Sequence, residues 1–205
     1  MLKNIHFLLH PTPCVVVELP ENCFEKCEVF ATDVYETNKD CYQGRRQTSK
    51  NEIIRQIITG KLGEFAVYYY MNAFLGFHSN DVDLEIYKTK EVKSFDADFR
   101  AGKIGDNDAI YNIHVKSILC SSAKKYGLSW IMEKNDPLFN NMNKMDEVFA
   151  FCQVLGKRIV HFYGFLPLPM LRLGKPKKSS LKSKYAIYFG EQMKDQIIYG
   201  LDLKK

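Results

Sequence analysis

The stretch Ser49 to Leu75, SKNEIIRQIITGKLGEFAVYYYMNAFL, is the clearest element of the chain and starts the reading of its fold. Ser49, followed three residues later by Glu52, fits a capping box. In that motif the serine hydroxyl accepts from a backbone N–H that the first helical turn leaves unpaired. Ile54, Ile57, Ile58, Leu62, Phe65, Ala66, Tyr69 and Ala73 then recur at helical spacing. The spacing predicts a long amphipathic helix ending near Gly76. Gly60 and Gly63 lie inside it, each costing about 1 kcal/mol relative to alanine. Helical glycine is tolerated where another backbone or a ligand must come close, and Glu64 stands next to Gly63.

Upstream, Cys14 to Leu19 (CVVVEL) reads as a strand ended by Pro20. Asn22 to Thr32 carries no decisive period, and Asp33 to Gln47 is polar with Tyr35 and Tyr42 interspersed. Downstream the period changes. Leu84 to Phe95 and Asp96 to Arg100 read as strands, and Ala101 to Asp108 (AGKIGDND) as a turn. Tyr111 to Leu119 (YNIHVKSIL) reads as a strand with Ile113, Val115 and Ser117 on one face and Asn112, His114 and Lys116 on the other. Leu128 to Glu133, with the single tryptophan Trp130, is another. Val148 to Leu155 and Ile159 to Phe165 form a pair turning at Gly156-Lys157, and Tyr185 to Phe189 is a last strand. A helix followed by a strand-rich region is an α/β or α+β chain with a mixed central β-sheet flanked by helices.

Composition narrows the class. With 46% hydrophobic residues and 14 Phe and 12 Tyr along 205 residues, the chain buries a core and is not disordered. No apolar run reaches the roughly 18 residues that span a bilayer, and the N-terminus lacks a signal-peptide core. The expectation is a soluble, intracellular, cytoplasmic protein without a membrane partner. Six cysteines, at 14, 23, 27, 41, 120 and 152, read as reduced structural thiols, since their spacing is not that of a tight zinc pair. Neither a repeat nor a low-complexity linker divides residues 1–205. They read as one domain, with 1–48 an extension packed on it, 49–130 the core motifs, and 131–205 the remaining strands and a basic loop.

Net charge is +5, and its distribution is more informative. Arg172 to Lys184 (RLGKPKKSSLKSK) holds six basic residues and no acid. It reads as a loop that is either merely solvated or in contact with phosphates, with Lys175, Lys177 and Lys178 as its strongest electrostatic footprint. Arg45 and Arg46, just before the long helix, are either a basic turn or a bidentate phosphate grip.

Glu64 on the helix, Asp98 at a strand and Lys116 on the next strand form a constellation with chemical potential. A hairpin between the strands, with the helix packed on it, brings two carboxylates and an ammonium together. Two carboxylates hold a hard divalent cation such as Mg²⁺. The lysine would stabilise charge on a transferring phosphoryl group.

The three segments GKLGEFAV (Gly60 to Val67), FDADF (Phe95 to Phe99) and IHVKS (Ile113 to Ser117) resemble the motifs of the PD-(D/E)xK nuclease superfamily, which includes many restriction enzymes, phage nucleases and resolvases. The resemblance covers about Ser49 to Trp130. It implies a restriction-endonuclease-like core: a helix, a three-stranded antiparallel portion, a helix and a further strand. It also implies a metal-dependent endonuclease acting on DNA, with Glu64 and Asp98 as metal ligands, Lys116 as the motif lysine and Mg²⁺ or Mn²⁺ as cofactor. A restriction, defence or phage DNA-degradation setting follows from the same resemblance. The chain departs from the pattern twice. Ala97 replaces the proline before Asp98, and His114 stands at the second acidic position, either as a catalytic-site residue that modulates the site or as a satisfied sheet histidine. Imidazole suits softer metals than Mg²⁺, so either the metal rests on Glu64, Asp98 and the Val115 carbonyl, or Mn²⁺ is favoured, or activity is weak. Asp96 is a substitute carboxylate two residues from Asp98. One active site cuts one strand at a time, so double-strand cleavage implies a homodimer or successive nicks. Two other readings stand beside this one: a non-catalytic basic nucleic-acid-binding protein on the same fold, and an α+β interaction protein whose carboxylates are incidental.

Overall fold

A computed structural model describes residues 5–8, 13–40, 49–87, 96–103 and 110–190. Strands β1 (Ile5–Leu8) and β2 (Cys14–Glu18) precede helix α1 (Glu21–Thr37) and helix α2 (Lys50–Tyr69). Then come β3 (Phe77–Ser79), β4 (Phe99–Lys103), β5 (Ile110–Leu119), a short helix α3 (Cys120–Tyr126), β6 (Ser129–Glu133), β7 (Glu147–Val154), β8 (Ile159–Pro167) and β9 (Lys184–Tyr188). Seven strands form one mixed sheet in the order β1-β2-β8-β7-β5-β4-β3, while β6 and β9 pair separately. Among the described strands only β5 and β7 run parallel. A parallel pair needs a crossover, and the segment between them carries α3 and β6.

The helix start reads as expected: the Ser49 hydroxyl accepts from the Glu52 N–H at 3.3 Å. At the other end the last turn widens over Tyr70–Phe74, with the Leu75 N–H donating to the Tyr70 carbonyl at 3.2 Å. Gly76, at φ +66°, then turns the chain into β3, a conformation that glycine adopts without steric cost. The amphipathic pattern holds only for the first half of α2. From Leu62 to Val67 every residue is buried, as expected of a helix enclosed on several sides. The sheet lies on one side and α1 on another.

Helix α1 has no decisive period in the sequence because its buried stripe is Cys23, Cys27, Ala31 and Tyr35, a mostly small-residue stripe. Two strand boundaries differ from expectation. Leu84–Tyr87 carry no strand, while the rest of that expected strand, residues 88–95, lies outside the described residues. β4 takes Ala101–Lys103 from the expected turn, whose residues 104–108 also lie outside them. Pairing with β3 (Phe77↔Lys103) and β5 (Gly102↔Ile110) carries β4 on to Lys103, and the Asp83 carboxylate takes the Glu85 N–H at 2.9 Å into a local turn. Asn80 Oδ1 accepts from the Arg100 N–H at 2.7 Å and fixes where the strand enters. The three-residue β3 has too few positions for a visible period.

Strand parity distributes the core. Ile113, Val148, Ala150, Cys152, Val160 and Phe162 pack with Leu62, Ala66 and Tyr70 beneath the helices. Phe149, Phe151, Tyr163 and Leu166 face the other way, against Trp130, Met132 and Ile187 of the β6–β9 pair. The described cysteines 14, 23, 27, 120 and 152 are all free thiols. Burial pushes the Cys14 thiol up to about 11 and the Cys27 thiol up to about 12, which makes both poor nucleophiles. Among the described residues no helix is long and apolar enough to cross a membrane.

Gly63 lets α2 approach β5. A Cβ there would lie 1.9 Å from Ser117 Oγ, 3.1 Å from Ser117 Cβ and 3.4 Å from Cys152 Cβ, whereas one at Gly60 meets nothing within 4 Å. We therefore expect Gly63→Ala to destabilise the fold by roughly 1–3 kcal/mol, against the helix propensity it gains. Gly60→Ala should stabilise by up to about 1 kcal/mol. Urea unfolding of both variants checks the pair, and equal effects would refute the close approach.

Candidate functional site

Strand β5 is longer than its neighbour β4. Their ladder runs from Gly102↔Ile110 to Phe99↔Ile113 and goes no further. On the other side β5 pairs with β7 through Leu119↔Val154. The β4-side edge of β5 beyond Ile113 is therefore left by β4. Asp98 sits where β4 begins. Its N–H donates to the Ile113 carbonyl at 2.9 Å, and its Oδ2 accepts from the Val115 N–H at 2.6 Å. A carboxylate thus takes the position of the next ladder acceptor. Backbone groups alternate sides along a strand, so the Val115 carbonyl points from this same edge.

Glu64 comes to this region from α2 and is only 8% exposed. Its Oε2 accepts from Lys61 Nζ at 2.7 Å. Burial pushes its carboxyl up to about 8; the negative charge of Asp98 adds to the rise, Lys61 opposes it, and Asp83 adds a further, smaller push. Glu64 and Asp98 are thus within electrostatic reach of each other. The pairing with Lys61 that a solvated helix face would show is present, but it is buried.

His114 and Lys116 leave β5 on the face away from α2. Ser117, of opposite parity, is the residue that meets Gly63. His114 is buried, its ring stacked on Phe149 with centroids 5.1 Å apart, and its Nε2 lies 2.8 Å from Glu147 Oε2. Asn112 Nδ2 donates to the other oxygen of Glu147 at 3.2 Å, and Lys144 Nζ is 3.8 Å from it. Lys116 is half-buried, with Nζ 5.9 Å from the Phe149 ring centroid. Asp96 is exposed.

Glu147 is the site residue that sequence reasoning missed. It opens the apolar run of β7, and only the parallel register, Asn112↔Glu147, puts it beside His114. Among the described residues no group of three or more His, Cys, Asp or Glu is arranged to hold a metal ion.

Arg45 and Arg46 lie outside the described residues. Lys175, Lys177 and Lys178 are exposed. Their loop is pinned by Tyr188, whose hydroxyl accepts from the Lys177 N–H at 2.8 Å and donates to the Lys175 carbonyl at 3.0 Å. Comparison with protein-family models, with curated proteins and with solved structures finds no match for this chain.

Proposed function

We propose that the chain is a metal-dependent nuclease that hydrolyses phosphodiester bonds in DNA, on a core of the restriction-endonuclease-like kind. The observation that carries this reading is the Asp98 carboxylate on the edge of β5 that β4 leaves, bonded to the Val115 N–H, with Glu64 buried within its electrostatic reach. The order of elements supports it: helix α2, the antiparallel β3-β4-β5, helix α3 and then β7 parallel to β5 follow the order expected of that core, with β6, which pairs outside this sheet, inserted between α3 and β7.

The donor set fits a hard cation. Glu64 and Asp98 offer carboxylates and Val115 a carbonyl, an all-oxygen set suited to Mg²⁺ or Mn²⁺. His114 is engaged by Glu147 and stands outside this set. A divalent cation held there supplies Lewis-acid polarisation of the phosphate and lowers the pKa of an attacking water. The chain's own residues do the rest. Asp98 is fixed by the Val115 N–H and cannot swing away from the edge. Lys61 keeps Glu64 oriented. Lys116 leaves β5 on the opposite face of the sheet from Glu64, and in this reading it donates from that side to phosphate oxygens held at the strand edge as charge builds on them. The test is supercoiled plasmid incubated with Mg²⁺ or Mn²⁺, with and without chelator. Metal-dependent nicking is expected, and its absence with both ions would overturn the reading.

A second reading, a nucleic-acid-binding protein without catalysis, is favoured by the His114–Glu147 pair, which leaves the donor set short of the second motif acid. It predicts binding without nicking. Both readings expect DNA to lie against the basic loop. Replacing Lys175, Lys177 and Lys178 by alanine should weaken duplex binding. The slope of log affinity against log salt should fall by about 0.9 for each phosphate that the variant no longer neutralises. An unchanged slope in a salt titration would place the DNA elsewhere.

A further inference from the structure

A cavity of about 660 Å³ lies over the part of β5 that β4 leaves unpaired. Ser117, Ile118 and Leu119 of β5 line it together with Thr59 of α2 and Ile131 of β6. These residues come from both faces of the sheet, so the cavity straddles the edge. Ser117 lies two residues beyond Val115, about 7 Å along the strand. A chain whose phosphodiester rested at Asp98 would have a neighbouring nucleotide within reach of this cavity.

The lining suits such a guest. Lys177 and Lys178 close one side. Lys184 is there too, with its ammonium held by Glu133 at 2.6 Å, and Glu52 is the lining carboxylate. Tyr126, half-buried, belongs to the wall, with the Lys125 ammonium 5.3 Å from its ring centroid. Ser117 Oγ is buried and has no hydrogen-bond partner among the described residues. That oxygen is turned to Gly63 of α2, 1.9 Å from where a Cβ there would lie, so it packs the helix on the strand rather than facing the cavity. The volume lies in the range that encloses a small molecule. It admits one unstacked nucleotide but not a duplex, whose bases stay stacked between grooves about 6 and 12 Å wide.

We propose that this cavity receives an unpaired nucleotide next to the scissile phosphate, so that the DNA this chain engages is single-stranded or locally opened. Lys177 and Lys178 meet backbone phosphates, and Tyr126 stacks on the base. The inference takes its ligand class from the nuclease reading but needs no cleavage.

The test is run with the full chain in chelator. A single-stranded oligonucleotide carrying 2-aminopurine and the duplex of the same sequence are each titrated with protein. The expected result is at least about tenfold tighter binding of the single strand, with quenched 2-aminopurine emission as the base stacks. Tyr126→Ala should lower that affinity roughly tenfold and restore emission. The double variant K177A/K178A should lower affinity and reduce the salt slope by about 0.7 per phosphate released. Circular dichroism confirms folding, and the lysine variant decides if Tyr126→Ala does not fold. Equal affinity for duplex and single strand, or single-strand binding untouched by the variants that fold, would overturn the proposal. Plasmid nicking with metal is read in parallel. Single-strand preference without nicking removes the nuclease reading alone, and nicking without that preference removes this inference alone.

Discussion

Lys116→Ala should slow metal-dependent plasmid nicking by roughly 10²–10³, the usual cost of removing one donor aimed at developing charge. The fold and most of the DNA affinity should survive. Among the described residues no carboxylate pairs with Lys116, and its ammonium lies over the Phe149 ring, an interaction worth about 0.5–1 kcal/mol. A half-buried ammonium so placed is available to an incoming anion. Its charge is more useful in the transition state, where negative charge accumulates on the phosphate oxygens, than in the ground state. As one cation among several it adds little to overall affinity. Nicking rates beside a gel-shift titration, with circular dichroism for folding, measure the three quantities separately. Full nicking by a folded Lys116→Ala would remove this lysine from the mechanism and much of the support for the nuclease reading.

Glu64→Gln should make the metal-free protein more stable at alkaline pH and remove a component of its pH dependence. The Glu64 carboxyl is raised from 4.5 to about 8 in the folded chain. Between those values the folded state holds a proton that the unfolded state has released. Stability from this group is therefore full below about 4.5 and is lost as pH rises through about 8. The slope approaches about 1.4 kcal/mol per pH unit, so the wild-type excess loss is on the order of a few kcal/mol. Glutamine keeps the shape and cannot ionise. Asp98→Asn removes a charge that helps raise the Glu64 carboxyl, and it should move the window to lower pH. Saturating Mg²⁺ or Mn²⁺ should flatten the wild-type dependence by favouring the ionised carboxylate. At a hundred times its Kd the ion should add about 2.7 kcal/mol; the Gln variant should lose that gain. Chemical unfolding from pH 5 to 9, with and without metal, tests this. Superimposable profiles for wild type and Glu64→Gln would show that Glu64 titrates normally.

Several elements were legible because their signals are local. Ser49 and Glu52 mark the start of α2 through hydrogen bonds within one helical turn. The alternation of Ile113, Val115 and Ser117 against Asn112, His114 and Lys116 follows from the two-residue period of any strand, and the faces of β5 divide accordingly. The pair β7–β8 announces itself by two apolar runs around Gly156-Lys157. Helix α1 was not legible, because its stripe of Cys23, Cys27, Ala31 and Tyr35 carries too little apolar contrast. The start of β4 was misread, because Asn80, a residue outside that strand, fixes its entry.

By itself the sequence determined a long capped helix ahead of a strand-rich region, a mixed α and β class, and a short set of polar residues on known faces of known elements. Tertiary structure alone decided which of these meet. Asp98 takes a vacant ladder position only because β4 stops short of β5's end. Glu147 reaches His114 only through the parallel register of β5 and β7. The Glu64 carboxyl is raised only because the sheet and α1 bury it beside Asp98. Periodicity is set by the geometry of one segment's backbone, whereas register, burial and the meeting of charges depend on contacts between segments far apart in the chain.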